Sequence, residues 1–131
     1  MNIKKLSTLL VVLTLSLAAM AQNKIYFCDD VTDNGAPLGH SNTKAVIYPD
    51  EGGSLYVLFT SDKVVKDKEV NIKVELKNAK GAFEVVQNFK AETEPGKKWF
   101  TFDVPLDKIG DYKITVQTLA KTDLASGIVK V

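Results

Sequence analysis

The stretch Glu69-Val70-Asn71-Ile72-Lys73-Val74-Glu75-Leu76 decides the class of fold. Its apolar residues Val70, Ile72, Val74 and Leu76 alternate one for one with Glu69, Asn71, Lys73 and Glu75. An extended chain turns successive side chains to opposite faces, so the spacing places the apolar four on one face and the polar four on the other. A helix would scatter the same four around its circumference. The segment therefore predicts a β-strand buried on one side. Asn78 to Gly81 then reads as a turn, and Ala82 to Phe89 as the returning strand.

The same reading extends in both directions. Lys98 to Val104 sets Phe100, Phe102 and Val104 on one face and Trp99, Thr101 and Asp103 on the other. Asp111 to Thr118 turns Tyr112, Ile114 and Val116 inward and Lys113, Thr115 and Gln117 outward. Leu55 to Thr60 is apolar nearly throughout, as expected of a central strand. Lys24 to Cys28 and Ala125 to Val131 supply the first and last strands, and Thr43 to Tyr48, ending at Pro49, is a weaker candidate. There is no repeat, no low-complexity tract and no helical periodicity. Short alternating runs punctuated by Gly, Pro, Asn and Asp predict an all-β sandwich or barrel of about seven strands.

Residues Met1 to Ala21 have the form of a secretory signal. Lys4 and Lys5 are the positive start, Leu6 to Leu17 is an apolar run broken only by Ser and Thr, and Ala19-Met20-Ala21 is a small-x-small cleavage site. The run is shorter than the roughly 20 apolar residues that span a bilayer, so a transmembrane anchor is disfavoured. The expected mature chain, 22–131, has 110 of the 131 residues, enough for one two-layer domain. The expected location is the periplasm, the cell surface or the medium.

The composition excludes whole classes of chemistry. All 17 basic residues are Lys; without Lys4 and Lys5 they number 15 against 16 acidic residues, a net charge of −1. A near-neutral domain without Arg has no electrostatic hold on nucleic acid or anionic lipid. Cys28 is the only Cys, so no internal disulfide forms, and apolar burial must hold the fold. One His and one Cys do not make a structural zinc site, and neither a phosphate loop nor a dinucleotide fingerprint is present.

The run Val104-Pro105-Leu106-Asp107-Lys108-Ile109-Gly110-Asp111-Tyr112-Lys113-Ile114-Thr115-Val116 resembles the corner between the fifth and sixth strands of bacterial immunoglobulin-like domains, where an apolar residue precedes Gly-x-Tyr. The resemblance implies a Greek-key β-sandwich. It also implies that the Tyr112 hydroxyl bonds backbone a few residues upstream, with Leu106 or Ile109 packed beneath the ring. The chain departs from antibody domains in lacking paired cysteines and a Trp on the third strand. The Ala-Gln cleavage point and Arg-free composition resemble small secreted proteins of Bacteroidota-type bacteria. Neither resemblance implies an activity, because sandwich folds host unrelated functions.

Three groups of residues are candidates for function. Asp29, Asp30, Asp33 and Asn34 put three carboxylates and an amide oxygen ahead of Gly35, a set that could wrap Ca²⁺; the alternative is a solvated acidic loop with an Asn-Gly turn. Trp99 and Tyr56 are expected on outer sheet faces, where aromatic rings stack on sugars or anchor a protein partner. Cys28 and His40 are the only residues on which a small hydrolase or thiol protein could be built, yet no nucleophile motif surrounds them. The expectation is a non-enzymatic binding or structural module of the cell envelope with a protein or glycan partner. A hydrolase or thiol protein, or a secreted protease inhibitor, is the alternative.

Overall fold

The computed structural model describes residues 23–39 and 53–131. The expected signal sequence, His40 and the Thr43–Tyr48 stretch lie outside the described residues. Nine strands follow in order: β1 (Lys24–Phe27), β2 (Asp30–Val31), β3 (Pro37–Leu38), β4 (Ser54–Thr60), β5 (Glu69–Lys77), β6 (Phe83–Glu92), β7 (Trp99–Pro105), β8 (Asp111–Gln117) and β9 (Asp123–Lys130). Seven are the expected ones, displaced at their ends by a few residues at most. The addition is the two-residue pair β2 and β3, which turns most of the described part of the long acidic loop into a hairpin.

β1, β4 and β7 form one antiparallel sheet in that order, and β6, β5, β8 and β9 form the other. The chain crosses between sheets after β4, β6 and β7, and pairs locally at β5–β6 and β8–β9. This is the expected Greek-key sandwich of immunoglobulin-like form. It differs from the constant-domain layout in one respect: the fourth main strand, β6, pairs with the third, β5, rather than joining the opposite sheet.

The alternation read from sequence builds the core. Phe27, Leu55, Val57, Phe59, Phe100, Phe102 and Val104 come from one inner face; Val70, Ile72, Val74, Tyr112, Ile114, Val116 and Val129 come from the other, and all are buried. Phe59 and Phe100 are register partners whose rings stack with centroids 4.7 Å apart. Such a pair contributes about 1 kcal/mol beyond its buried area. β1 lies against β9, where Gly127 faces Ile25 and Phe27.

Two features of the four-stranded sheet depart from simple alternation. Its edge strands β6 and β9 each carry one extra residue, Val86 and Leu124, where the register shifts. A bulge leaves its extra residue unpaired and re-aims it; Leu124 packs on the core and Val86 is half exposed. The outer positions of β5 and β8 are also more enclosed than a solvated face requires. Asn71 and Gln117 are buried because they satisfy each other: Asn71 Nδ2 donates to Gln117 Oε1 at 2.8 Å, and Gln117 Nε2 donates to Asp123 Oδ1 at 2.7 Å. Thr115, beside them, is 1% exposed, and its hydroxyl finds no hydrogen-bond partner among the described residues.

Candidate functional site

The register places Lys24, Tyr26, Tyr56, Leu58, Thr60, Trp99, Thr101 and Asp103 on the outer face of the three-stranded sheet. Cys28 continues the face, its N–H donating to the Tyr56 carbonyl at 3.1 Å. An outer face is ordinarily wet, yet Leu58 is fully buried and Cys28 nearly so. The β2–β3 hairpin meets this face at Trp99. The Thr32 carbonyl accepts from Gly35 N–H at 3.0 Å, and Thr32 N–H donates to the Ala36 carbonyl at 2.9 Å. Gly35, at φ 77°, completes a three-residue loop of the type that puts its last residue in the left-handed region. Its backbone lies so close to the Trp99 indole that a Cβ there would collide with the ring.

The acidic loop and the aromatic residues, separate in sequence, thus share one face. Trp99 is outward as expected, but half-buried, pressed by Gly35 and attended by Lys97, whose Nζ is 5.0 Å from the ring centroid and 2.7 Å from Glu94 Oε2. It is not an open stacking platform. Tyr56 is half-buried opposite Asp103. The four calcium candidates do not converge. Asp29 packs against Gly39 at the hairpin base, Asp30 Oδ1 accepts its own neighbour's N–H from Val31 at 2.8 Å, and Asp33 and Asn34 are exposed at the tip. Among the described residues no three His, Cys, Asp or Glu side chains gather as metal ligands would. The strand geometry is the cause: an extended pair carries its base and its tip apart.

Cys28 is buried on the same face, two residues before β2. Burial pushes its thiol pKa up, and the negative charges of Asp29 and Asp30 push it further. A nucleophilic cysteine needs the opposite surroundings, because the thiolate is the reactive form.

The corner is present as the resemblance implied. The Tyr112 hydroxyl donates to the Lys108 carbonyl at 2.8 Å, and the ring is 1% exposed. Burial raises its pKa first and the nearby Asp107 carboxylate second. Leu106 is the residue buried there. Ile109 points to solvent instead, at 76% the most exposed of the large apolar side chains among the described residues.

Sequence reasoning missed what lies beside this corner. A cleft of about 370 Å³ opens at that end of the sandwich, with Leu76, Val86, Pro105 and Leu106 as apolar wall and Gln87, Asp107, Lys108 and Tyr112 as polar lining. The Gln87 side chain spans the cleft wall, donating to the Pro105 carbonyl. A signal for it was present: Val85-Val86 breaks the alternation of β6, which marks the bulge that turns Val86 into the cleft. The volume lies within the range of small-ligand and side-chain pockets.

Strand order, crossings and tyrosine corner together define the class: an immunoglobulin-like β-sandwich. No protein-family model matches the chain, and no curated protein matches it. Among solved structures it is similar to an immunoglobulin-like protein from Pseudomonas aeruginosa at 11% identity and a TM-score of 0.44, over 85% of this chain and 98% of that one. It is also similar to part of a β-glucosidase from Kluyveromyces marxianus in complex with glucose, at 19% identity and a TM-score of 0.39, over 83% of this chain and 14% of that enzyme. The selenomethionine-labelled form of the same enzyme gives 20% identity and a TM-score of 0.38 over the same shares.

Proposed function

We propose that this chain is an exported, non-enzymatic binding module of the bacterial envelope, and that it binds at the corner end of the sandwich. The observation that carries the reading is the open cleft with Val86 in its wall and Ile109 beside it, two apolar side chains at least half exposed. Exposed aliphatic groups around a concavity mark an interaction site more often than a resting surface. The chain's distinctive polar groups support the same reading, because they serve the fold. The Cys28 thiol is held protonated under cover and the Tyr112 hydroxyl is bonded to backbone. The partner is a protein presenting an apolar side chain, in preference to a glycan, because the cleft wall is aliphatic and Trp99 is capped. The signal-like sequence 1–21 supports residence outside the cytoplasm.

The test is in-cell photo-crosslinking of the full chain. A crosslinking residue at position 86 is compared with one at Val64, which is similarly exposed but borders a different groove. Discrete protein adducts from position 86 alone, on a chain whose mass shows Gln22 at its start, support the reading. Equal adducts at both positions, none at 86, or an intact leader on a cytoplasmic chain overturn it.

A further inference from the structure

The cleft and the exposed isoleucine lie side by side on one loop. Asp107 and Lys108 line the cleft, Ile109 follows and projects outward, and Gly110 comes back against Leu76 in the cleft wall, where a Cβ would be 2.9 Å from Leu76 Cδ1. The molecule therefore carries an apolar knob and an apolar hole on the same patch. A two-fold axis through such a patch places each knob at the other copy's hole, since an isologous interface asks only that one surface be complementary to itself. We propose that the occupant of the cleft is the Ile109 side chain of a second copy of this chain, so that the protein pairs corner to corner. This rests on reading the corner as the binding end.

Charge favours the same occupant. Asp107 and Lys108 precede the knob, and two copies of the loop meeting antiparallel bring each Asp107 toward the other's Lys108. The antiparallel register that sets Ile109 against the other copy's Leu106, in the cleft lining, is the one that sets Asp107 against Lys108 and keeps like charges apart. The nearly neutral chain adds little long-range repulsion between copies. The volume of about 370 Å³ is ample for a branched aliphatic side chain. Contact confined to one end of a small domain should bury less than the roughly 1,200 Å² at which stable specific interfaces begin. The pairing is accordingly weak and concentration-dependent, suited to a protein held at high local density.

Sedimentation velocity of the purified chain from micromolar to millimolar concentration tests this. The weight-average mass should rise toward that of a dimer. Ile109→Asp should weaken association at least tenfold while leaving the circular dichroism and urea midpoint unchanged, because the side chain is exposed. Ile128→Asp removes an equally large exposed apolar group from the outer face of the four-stranded sheet and should leave association as it was. Asp107→Lys alone should weaken the dimer, and the exchange Asp107→Lys with Lys108→Asp should restore it, since a two-fold contact keeps its complementarity when both charges are swapped. A monomer at every concentration overturns the proposal, as does a dimer that Ile109→Asp spares or Ile128→Asp destroys. If the chain stays monomeric while position 86 still crosslinks to another protein, self-pairing fails and the corner remains the binding end.

Discussion

The outer face of the three-stranded sheet holds Cys28 and Leu58 buried and Trp99 beneath the chain's own hairpin, whereas the outer face of the four-stranded sheet holds Asn71, Thr115 and Gln117 among lysines and glutamates. Both are second faces of sheets whose first faces make the core. The covered face shows in sequence as a strand apolar on both sides, Leu55 to Phe59, because each side meets protein. The other face shows as strict alternation in β5, where Asn71 is buried beside the Gln117 it bonds. A break in alternation thus records what a strand is buried against.

The largest test of this contrast is to cut one residue from each face. Leu58→Ala should cost about 3 kcal/mol in urea unfolding, the loss expected for a fully buried leucine. Thr115→Val, on the other face, should raise stability by about 1 kcal/mol by removing a buried hydroxyl without a partner. A Leu58→Ala loss below about 1 kcal/mol would mean that the outer face of β4 is less enclosed than its burial requires.

A sharper version compares two turns of the same build. Asn78 to Ala82 repeats the bonding of Thr32 to Ala36, with Gly81 at φ 84° where Gly35 has φ 77°. At Gly81 the only neighbour a Cβ would meet is the flexible Lys77 chain at 3.8 Å, while at Gly35 it would strike Trp99. Gly81→Ala should cost about 1 kcal/mol from the left-handed conformation alone. Gly35→Ala should cost more than about 2 kcal/mol, and should shift the emission of Trp99, the only tryptophan, to longer wavelength. Equal losses without a spectral shift would show an undocked hairpin.

The covered face also has a pH signature. The folded Cys28 thiol keeps its proton above the ordinary 9.0, so on titration the unfolded chain loses that proton first. Stability is then constant below about pH 9 and falls as pH rises through the folded value. Tyr112 does the same from its ordinary 10.0 upward. Urea midpoints between pH 7 and 11 should fall less steeply in Cys28→Ala than in the wild type from about pH 9 onward, and in Tyr112→Phe only from about pH 10. Parallel curves would mean that both groups ionise as freely folded as unfolded.

The smallest effect lies in a third turn of this build, Thr118 to Thr122, where Lys121 rather than glycine takes φ 66°. Lys121→Gly should raise the urea midpoint by the equivalent of about 0.5–1 kcal/mol, the strain relieved less the freedom glycine gains when unfolded. A lowered midpoint would show that the lysine side chain matters more than its backbone.

Much of the fold was legible because period-two alternation is a local signal. Val70 to Leu76, Phe100 to Val104 and Tyr112 to Val116 each declared their inner face, and Gly110-x-Tyr112 declared the corner. The hairpin was half legible: Asn34-Gly35 announced a turn, but two-residue strands are too short to carry a period. Its seat on Trp99, 64 positions on, has no local trace. Leu106 and Ile109 were equivalent candidates for the corner until the crossing buried one and exposed the other. The cleft arises where a bulge, a strand end and a crossing meet, and only the Val85-Val86 doublet hinted at it.

The apolar character of β4 on both faces has a kinetic consequence. The hairpins β5–β6 and β8–β9 close through three-residue loops, which form within microseconds. β4 instead waits for β1 and β7, whose residues pair with it from 30 to 51 positions away, as in Phe27 with Val57 and Phe59 with Phe100. Such long-range pairing is slow relative to local hairpins. Throughout that wait Leu55-Tyr56-Val57-Leu58-Phe59 is an uncharged strand-forming segment with neither face hidden, the composition from which cross-β stacking grows. A stretch buried on both faces in the finished sandwich is therefore one through which unfinished copies stick together, and the nearest charged residues, Glu51, Asp62 and Lys63, flank it rather than lie within it.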